Sequence, residues 1–251
     1  MLNLTDITLT YPDGGASVTA INHANLTVKP GEFAAVTGPS GSGKSSLLTV
    51  AATLTSPDSG SVEIAGIETT SLNQKEKTAV RRDHVGIVFQ SPNLIPSLTV
   101  AEQLEIVARL GAGTFKGISK KESQERIESA LEAVGMLDRA HHRPGALSGG
   151  QRQRVNIARA IIHQPEVLLV DEPTSALDQE RSQAIIELLV ETTHKRDLAT
   201  VVVTHAQEQL DEFDSVYRMV DGVLSADGDA GKANVGTGSH AHTHAKAPEY
   251  V

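Results

Sequence analysis

The sequence contains no cysteine, so neither a disulfide framework nor a thiolate metal site is open to it, as fits a reducing compartment. No apolar stretch approaches the roughly 20 residues needed to cross a bilayer; the longest are short pieces such as 167–170 and 201–203. Residues 1–10 lack the charged-then-apolar pattern of a signal segment and read instead as a strand. Positive charge is scarce. With 22 Lys and Arg against 31 Asp and Glu, the net charge of −9 repels a phosphate backbone and counts against nucleic acid as a partner. The expectation is a cytosolic chain that works at a membrane only if another chain holds it there. The 251 residues, 39% hydrophobic and 21% charged, suit one large globular domain or two small ones.

What is present is a run built for phosphate. Residues 38–46 read GPSGSGKSS, and Gly38, Gly43, Lys44 and Ser45 meet the pattern G-x-x-x-x-G-K-[S/T]. An apolar strand (Phe33, Ala34, Ala35, Val36) precedes the run, and an apolar helix (Leu47, Leu48, Ala51, Leu54) follows it. Gly38, Gly41 and Gly43 let the backbone turn tightly and aim successive N–H groups at an anion, with Pro39, Ser40, Ser42 and Ser46 completing the cradle. The helix that opens near Gly43 adds the positive end of its dipole. Lys44 is placed to reach the β- and γ-phosphates, and the Ser45 hydroxyl to ligate Mg²⁺. A glycine- and serine-rich turn with a solvated lysine is the plain alternative, and the strand–loop–helix setting argues against it. The chain is expected to bind a nucleoside triphosphate.

Two further segments specify the chemistry. Val167, Leu168, Leu169 and Val170 run into Asp171 and Glu172, and a core strand ending on two carboxylates needs a reason, because an unpaired buried charge is costly. Asp171 as a Mg²⁺ ligand and Glu172 as the group that polarises an attacking water supply one. Leu147, Ser148, Gly149, Gly150 and Gln151 form a second small, glycine-rich segment that opens a helix over 151–162, hence a second anion site of the helix N-terminus kind. A simple N-cap at Ser148 accounts for Ser-Gly-Gly alone. Two such sites in one chain make sense if each grips the same nucleotide from opposite sides in a symmetric pair of copies.

Along the chain, Leu2, Leu4, Ile7 and Leu9 predict a half-buried strand with a slip in its alternation, ended by the turn residues 11–15. A second strand holds Leu26 and Val28, a third Val62 and Ile64, and the compact run 85–89 delivers Gln90. From 91 to 163 the character is helical. Val100, Leu104 and Val107 share a face; Ser119 and Glu122 form a capping box before Ile127, Ala130, Leu131 and Val134; and residues 111–113 make a flexible join. A strand at 167–170, a helix with Ala184, Ile185, Leu188 and Leu189, a strand at 200–203 and a hairpin turning at Asp221-Gly222 follow. The expected fold is α/β: a P-loop nucleotide-binding core (1–90 and 164–224) with N-terminal antiparallel strands and an all-helical insertion (91–163). Residues 225–251 are too poor in apolar side chains to pack and are expected to form a disordered tail. His240, His242 and His244 within it are solvated on this reading.

With these motifs in order, the chain resembles the ATP-binding-cassette (ABC) family over about residues 1–224. The resemblance implies that Tyr11 stacks on adenine and that 38–46 is the Walker A loop. It makes Gln90 the Q-loop glutamine, Leu147–Gln151 the signature, and Asp171 and Glu172 the Walker B pair. Ser175, Ala176, Leu177 and Asp178 are then the D-loop, and Thr204 and His205 the switch. It further implies ATP and Mg²⁺ as cofactors, with Gln90 joining Ser45 and Asp171 at the metal, and an ATPase that pairs head to tail with a second copy of itself. The partner is an integral membrane permease on a separate chain, and the place of work the cytoplasmic face of the membrane. Residues 89–99 and the Arg143-Pro144 step narrow the resemblance to the macrolide-exporter, lipoprotein-releasing, haem-exporter and cell-division group. A regulatory cassette that signals through a membrane partner without moving cargo stays open. Soluble DNA-repair and translation ATPases share the signature but carry insertions or a second cassette that this chain lacks.

Overall fold

The computed structural model describes residues 1–14, 16–110, 115 and 117–226. Two sheets organise the chain. A six-stranded sheet has the order β10-β9-β3-β8-β7-β6, and a four-stranded antiparallel sheet the order β2-β1-β4-β5. In the large sheet β3 (Phe33–Thr37), β6 (Val85–Val88), β7 (Val167–Asp171), β8 (Ala199–Val203) and β9 (Ser215–Val220) run parallel, and β10 (Val223–Ala226) returns antiparallel along β9. All five residues of β3 and of β8 are buried. Strands covered on both faces read as unbroken apolar runs, which is why residues 33–36, 167–170 and 200–203 lack alternation. Phe33, Leu168, Val170 and Val202 point into a core shared with the helices, whereas Ala34, Val36, Leu169, Val201 and Val203 point into a second core beneath the antiparallel sheet. Helix α1 (Lys44–Ala51) fills that second space, against β2, β7 and β8.

The antiparallel sheet is formed by β1 (Leu2–Asp13), β2 (Ala16–Val28), β4 (Ser59–Ile64) and β5 (Ile67–Glu68). The slip expected in the first strand is present as register shifts between Leu4 and Ile7 and between Ile7 and Leu9, with Asp6 in the left-handed region at φ 53°. Each shift resets the two-residue period and keeps Leu2, Leu4, Ile7 and Leu9 all buried. Tyr11 and Pro12, expected in a turn, still belong to the ladder, opposite Val18 and Ser17. Proline is tolerated there because the hairpin is nearly at its end.

The structure corrects the sequence reading at four other places. Helix α1 stops at Ala51, so Leu54 lies beyond it and is half exposed. Helix α2 (Gln74–His84) was not foreseen, because only Lys77 and Val80 of it are buried and its apolar stripe is almost absent; an Asn73–Glu76 capping box starts it instead. At Ser119 only half of the expected box forms: its hydroxyl accepts from the Glu122 N–H at 3.1 Å, while the Glu122 carboxylate pairs with Arg126 at 3.0 Å. Ser225 and Ala226, assigned to the tail, are ladder residues of β10 opposite Arg218 and Tyr217. The rest of the expected tail, His240, His242 and His244 included, and the 111–113 join lie outside the described residues. Helices α3 (Val100–Arg109), α4 (Lys120–Ala133) and α5 (Gly149–Ile161) provide the helical region, and α6 (Gln179–Arg196) links β7 to β8. Among the described residues no helix is long and apolar enough to cross a membrane.

Candidate active site

Because β3, β6, β7 and β8 are parallel, their carboxyl ends share one edge of the sheet. That edge delivers the segments that begin at Gly38, Phe89, Asp171 and Thr204. Crevices outside the carboxyl ends of such strands are where α/β sheets bind ligands. The phosphate loop is fixed from behind. A Cβ on Gly38 would collide with the Met219 carbonyl oxygen, and one on Gly43 with that of Ala20, while φ is 142° and 105° at these two residues. The β9–β10 turn braces the loop: the Gly222 N–H donates to the Ser42 carbonyl at 3.0 Å, and the Asn22 N–H donates to the Gly222 carbonyl at 2.8 Å. Backbone in this conformation, pressed against two carbonyls, admits only glycine.

Helix α1 differs from α2 to α6 in one respect. Those five have side-chain caps from Asn73, Thr99, Ser119, Ser148 and Asp178, whereas α1 starts on Gly43 with none. Its first N–H groups are therefore left for an anion. Ser42 Oγ is buried and has no partner among the described residues. Lys44 is buried, and its Nζ donates to the carbonyls of Gly38 at 2.9 Å and Pro39 at 2.7 Å, which leaves one of three N–H bonds uncommitted. Burial pushes its pKa down, opposed by the charges of Glu172 and Asp171. Uncapped helix end, orphaned hydroxyl and ammonium together fit a polyphosphate.

Asp171 ends β7, and burial together with the neighbouring Glu172 raises its pKa while Lys44 lowers it. Glu172 follows in left-handed backbone, φ 41°, its N–H donating to the Val203 carbonyl at 2.9 Å. Such a conformation costs a β-region residue about 1 kcal/mol or more and is held only where the surroundings over-determine it. Two side chains meet the Glu172 carboxylate: His205 Nε2 lies 2.7 Å from Oε1, and Gln90 Nε2 donates to Oε2 at 3.2 Å. The same Gln90 amide donates to Ser175 Oγ at 3.1 Å. Gln90, Glu172 and His205, separated by 82 and 33 residues in sequence, thus form one cluster.

Lys44, Ser45, Ser46, Ser40, Gly41 and Gly43 face Glu172 and His205 across a cleft of about 490 Å³. Tyr11 and Val18, cross-strand neighbours on the β1–β2 hairpin, line it as well. Thr19, Ala20, Asp221 and Gly222 complete it and went unnoticed in the sequence. Their membership depends on which hairpins fold over the loop, and only the Asp221-Gly222 turn signal hinted at it.

The signature residues stand elsewhere. Ser148 Oγ accepts from the Gln151 N–H at 3.3 Å and Gln151 Oε1 accepts from the Ser148 N–H at 2.9 Å, so the tip of α5 caps itself. Gly149 lies beside Leu177, Gly150 beside Arg181, and Asp178 caps α6 and pairs with Arg181 at 3.1 Å. None of Ser148, Gly149, Gly150, Gln151 and Asp178 lines the cleft.

The sequence profile described as ABC transporter matches residues 21–175, more than half of the chain. The chain belongs to the ABC transporter family. Among its relatives, the lipoprotein-releasing system ATP-binding protein LolD 1 of Rhodopirellula baltica is 39% identical over 224 residues, 89% of this chain and 96% of that one. The macrolide export ATP-binding/permease protein MacB of Rhodopseudomonas palustris is 42% identical over 217 residues, but this chain spans only 32% of its length. The ATP-binding cassette MJ0796 of Methanocaldococcus jannaschii has a dimeric structure described as a post-hydrolysis state bound to ADP and Pi. It superposes with a TM-score of 0.80 at 37% identity, covering 90% of this chain and 97% of that one. This ABC chain is an ATPase with the α/β fold expected from its motifs: P-loop core, antiparallel N-terminal sheet and helical region.

Proposed function

We propose that two copies of this chain close head to tail on ATP and drive a separate permease at the cytoplasmic face of the membrane. The carrying observation is the split of the two glycine-rich helix tips. One lies in the cleft with Glu172 and His205, and the other lies outside it on the same chain. A triphosphate held by Lys44, Ser45 and the α1 N–H groups is then completed by Ser148 and Gly150 of the second copy, with Asp178 beside that junction. Tyr11 stacks on the base. Ser45, Asp171 and Gln90 would hold Mg²⁺, which would supply neutralisation of phosphate charge. Glu172, positioned by Gln90 and His205, takes the proton of the attacking water as that oxygen bonds to the terminal phosphorus and the bridging P–O bond breaks, the bridging oxygen leaving with ADP.

Residues 91–163 act on this reading as the helical unit that links nucleotide state to the permease. Phe89, Ile95 and Leu110, exposed by 43%, 44% and 71%, form the apolar contact with it. The MacB relative, which is named for both ATP binding and permease and of which this chain spans 32%, supports the pairing of such a cassette with a permease. The relatives' names carry macrolide and lipoprotein as cargo, and haem and peptide are equally compatible because cargo selectivity belongs to the membrane subunit.

The test is Glu172→Gln. ATP binding is retained, turnover falls by about 10²- to 10⁴-fold, and gel filtration with ATP shows a two-copy species. Hydrolysis at the parent rate overturns the assignment of Glu172, and a strictly single-copy protein with ATP overturns the pairing. Reconstitution with the permease in which ATP is consumed and no cargo moves replaces transport with regulation.

A further inference from the structure

Glu172 and His205 line a second cleft as well as the first. It lies on the α6 side of the pair, also has a volume of about 490 Å³, and is walled by Thr174, Ser175, Ser182, Glu208 and Gln209 among others. The contact at 2.7 Å between His205 Nε2 and Glu172 Oε1 is therefore the partition between two spaces of equal size. Among the described residues neither Lys nor Arg lines the second space, whereas hydroxyl and amide groups are plentiful. Gln209, 8% exposed, lines it with an amide oxygen that has no partner among the described residues. The space holds many times the ~30 Å³ that one water takes.

We infer that the second cleft is the exit route for inorganic phosphate, with the Glu172–His205 pair as its gate; the inference rests on the ATPase reading above. After hydrolysis the terminal phosphate sits between the phosphate loop and that pair. ADP fills the cleft toward Tyr11, and the second copy covers its open face. The partition is the remaining side, and moving two side chains opens it without displacing backbone. The uncharged hydroxyl and amide donors along the route solvate the anion and release it again, because their hydrogen bonds to an anion are weaker than ion pairs. Glu208 at its wall disfavours lingering.

Two variants act on the route by different physics, and neither residue belongs to the catalytic cluster. Ser182→Leu fills the space with a good helix former on α6, and Glu208→Arg places a cation that holds phosphate on the exposed side of the short 3-10 helix Gln207–Glu212. Single-turnover reactions of the full chain are followed by acid quench, which reads phosphate formed, and by a fluorescent phosphate-binding sensor, which reads phosphate free. Formation keeps the parent rate, and release slows by about tenfold or more in both variants. Glu208→Arg is in addition inhibited by added inorganic phosphate at concentrations that leave the parent unaffected. Release as fast as in the parent, or slowed only in step with formation, overturns the exit route. A parent that forms no phosphate in the quench arm overturns the ATPase reading underneath it.

Discussion

The two glycine-rich helix tips of this chain look alike in sequence and differ in what they have left to give. The tip of α1 has no side-chain cap, a buried hydroxyl without a partner beside it and a lysine with a spare N–H. The tip of α5 has satisfied itself, Ser148 and Gln151 bonding each other's backbone. An anion meeting the first gains interactions at no internal loss. One meeting the second must compete with Ser148 Oγ for a donor already engaged, and then gains mainly from Gly149, Gly150 and the helix dipole. The first tip therefore suits capture of nucleotide by a single chain. The second suits a contact that forms only when pairing adds further surface and that lets go when the terminal phosphate leaves.

Three substitutions break or sharpen that contrast. Gly38→Ala removes the first tip: the new Cβ meets the Met219 carbonyl in left-handed backbone, and about 1–3 kcal/mol of strain in the loop costs stability in urea unfolding and most of the ATP affinity in calorimetry. Ser148→Ala leaves ATP affinity of the single chain at the parent value. In a Glu172→Gln background it weakens ATP-dependent pairing by about tenfold, read by analytical ultracentrifugation, while loss of the cap lowers stability by about 1 kcal/mol. Equal loss of single-chain ATP binding in both variants erases the distinction between the tips. Tyr11→Ala has the smallest effect: under the proposed stacking, loss of a ring that is 40% exposed weakens nucleotide binding by about fivefold, ~1 kcal/mol. On the proposed arrangement it affects ATP and ADP equally, since that arrangement keeps the terminal phosphate and the second copy away from Tyr11.

Residues whose chemistry is local were legible in the sequence. Gly38 to Ser46, Asp171 and Glu172 declare themselves because a strand, a loop and a helix of fixed order surround them. The unbroken apolar runs at 33–36 and 167–170 were legible as strands, though not that their sheet is covered on both faces. The remaining features depended on distance. Nothing in the sequence says that Gln90 shares its amide between Glu172 and Ser175, or that the Asp221-Gly222 turn braces Ser42, because such contacts follow from the strand order β9-β3-β8-β7-β6. Helix α2 was hidden for a different reason. Its caps and charges make it a helix, but it buries too little to leave a periodic mark.

The large sheet separates two apolar cores, and β3, β7 and β8 each insert alternate side chains into both. A strand shared in this way makes its two layers thermodynamically inseparable: neither can melt while the other keeps its floor. A ligand that tightens the loop after β3 is therefore expected to slow hydrogen exchange in the helices packed on the opposite face of that strand as well.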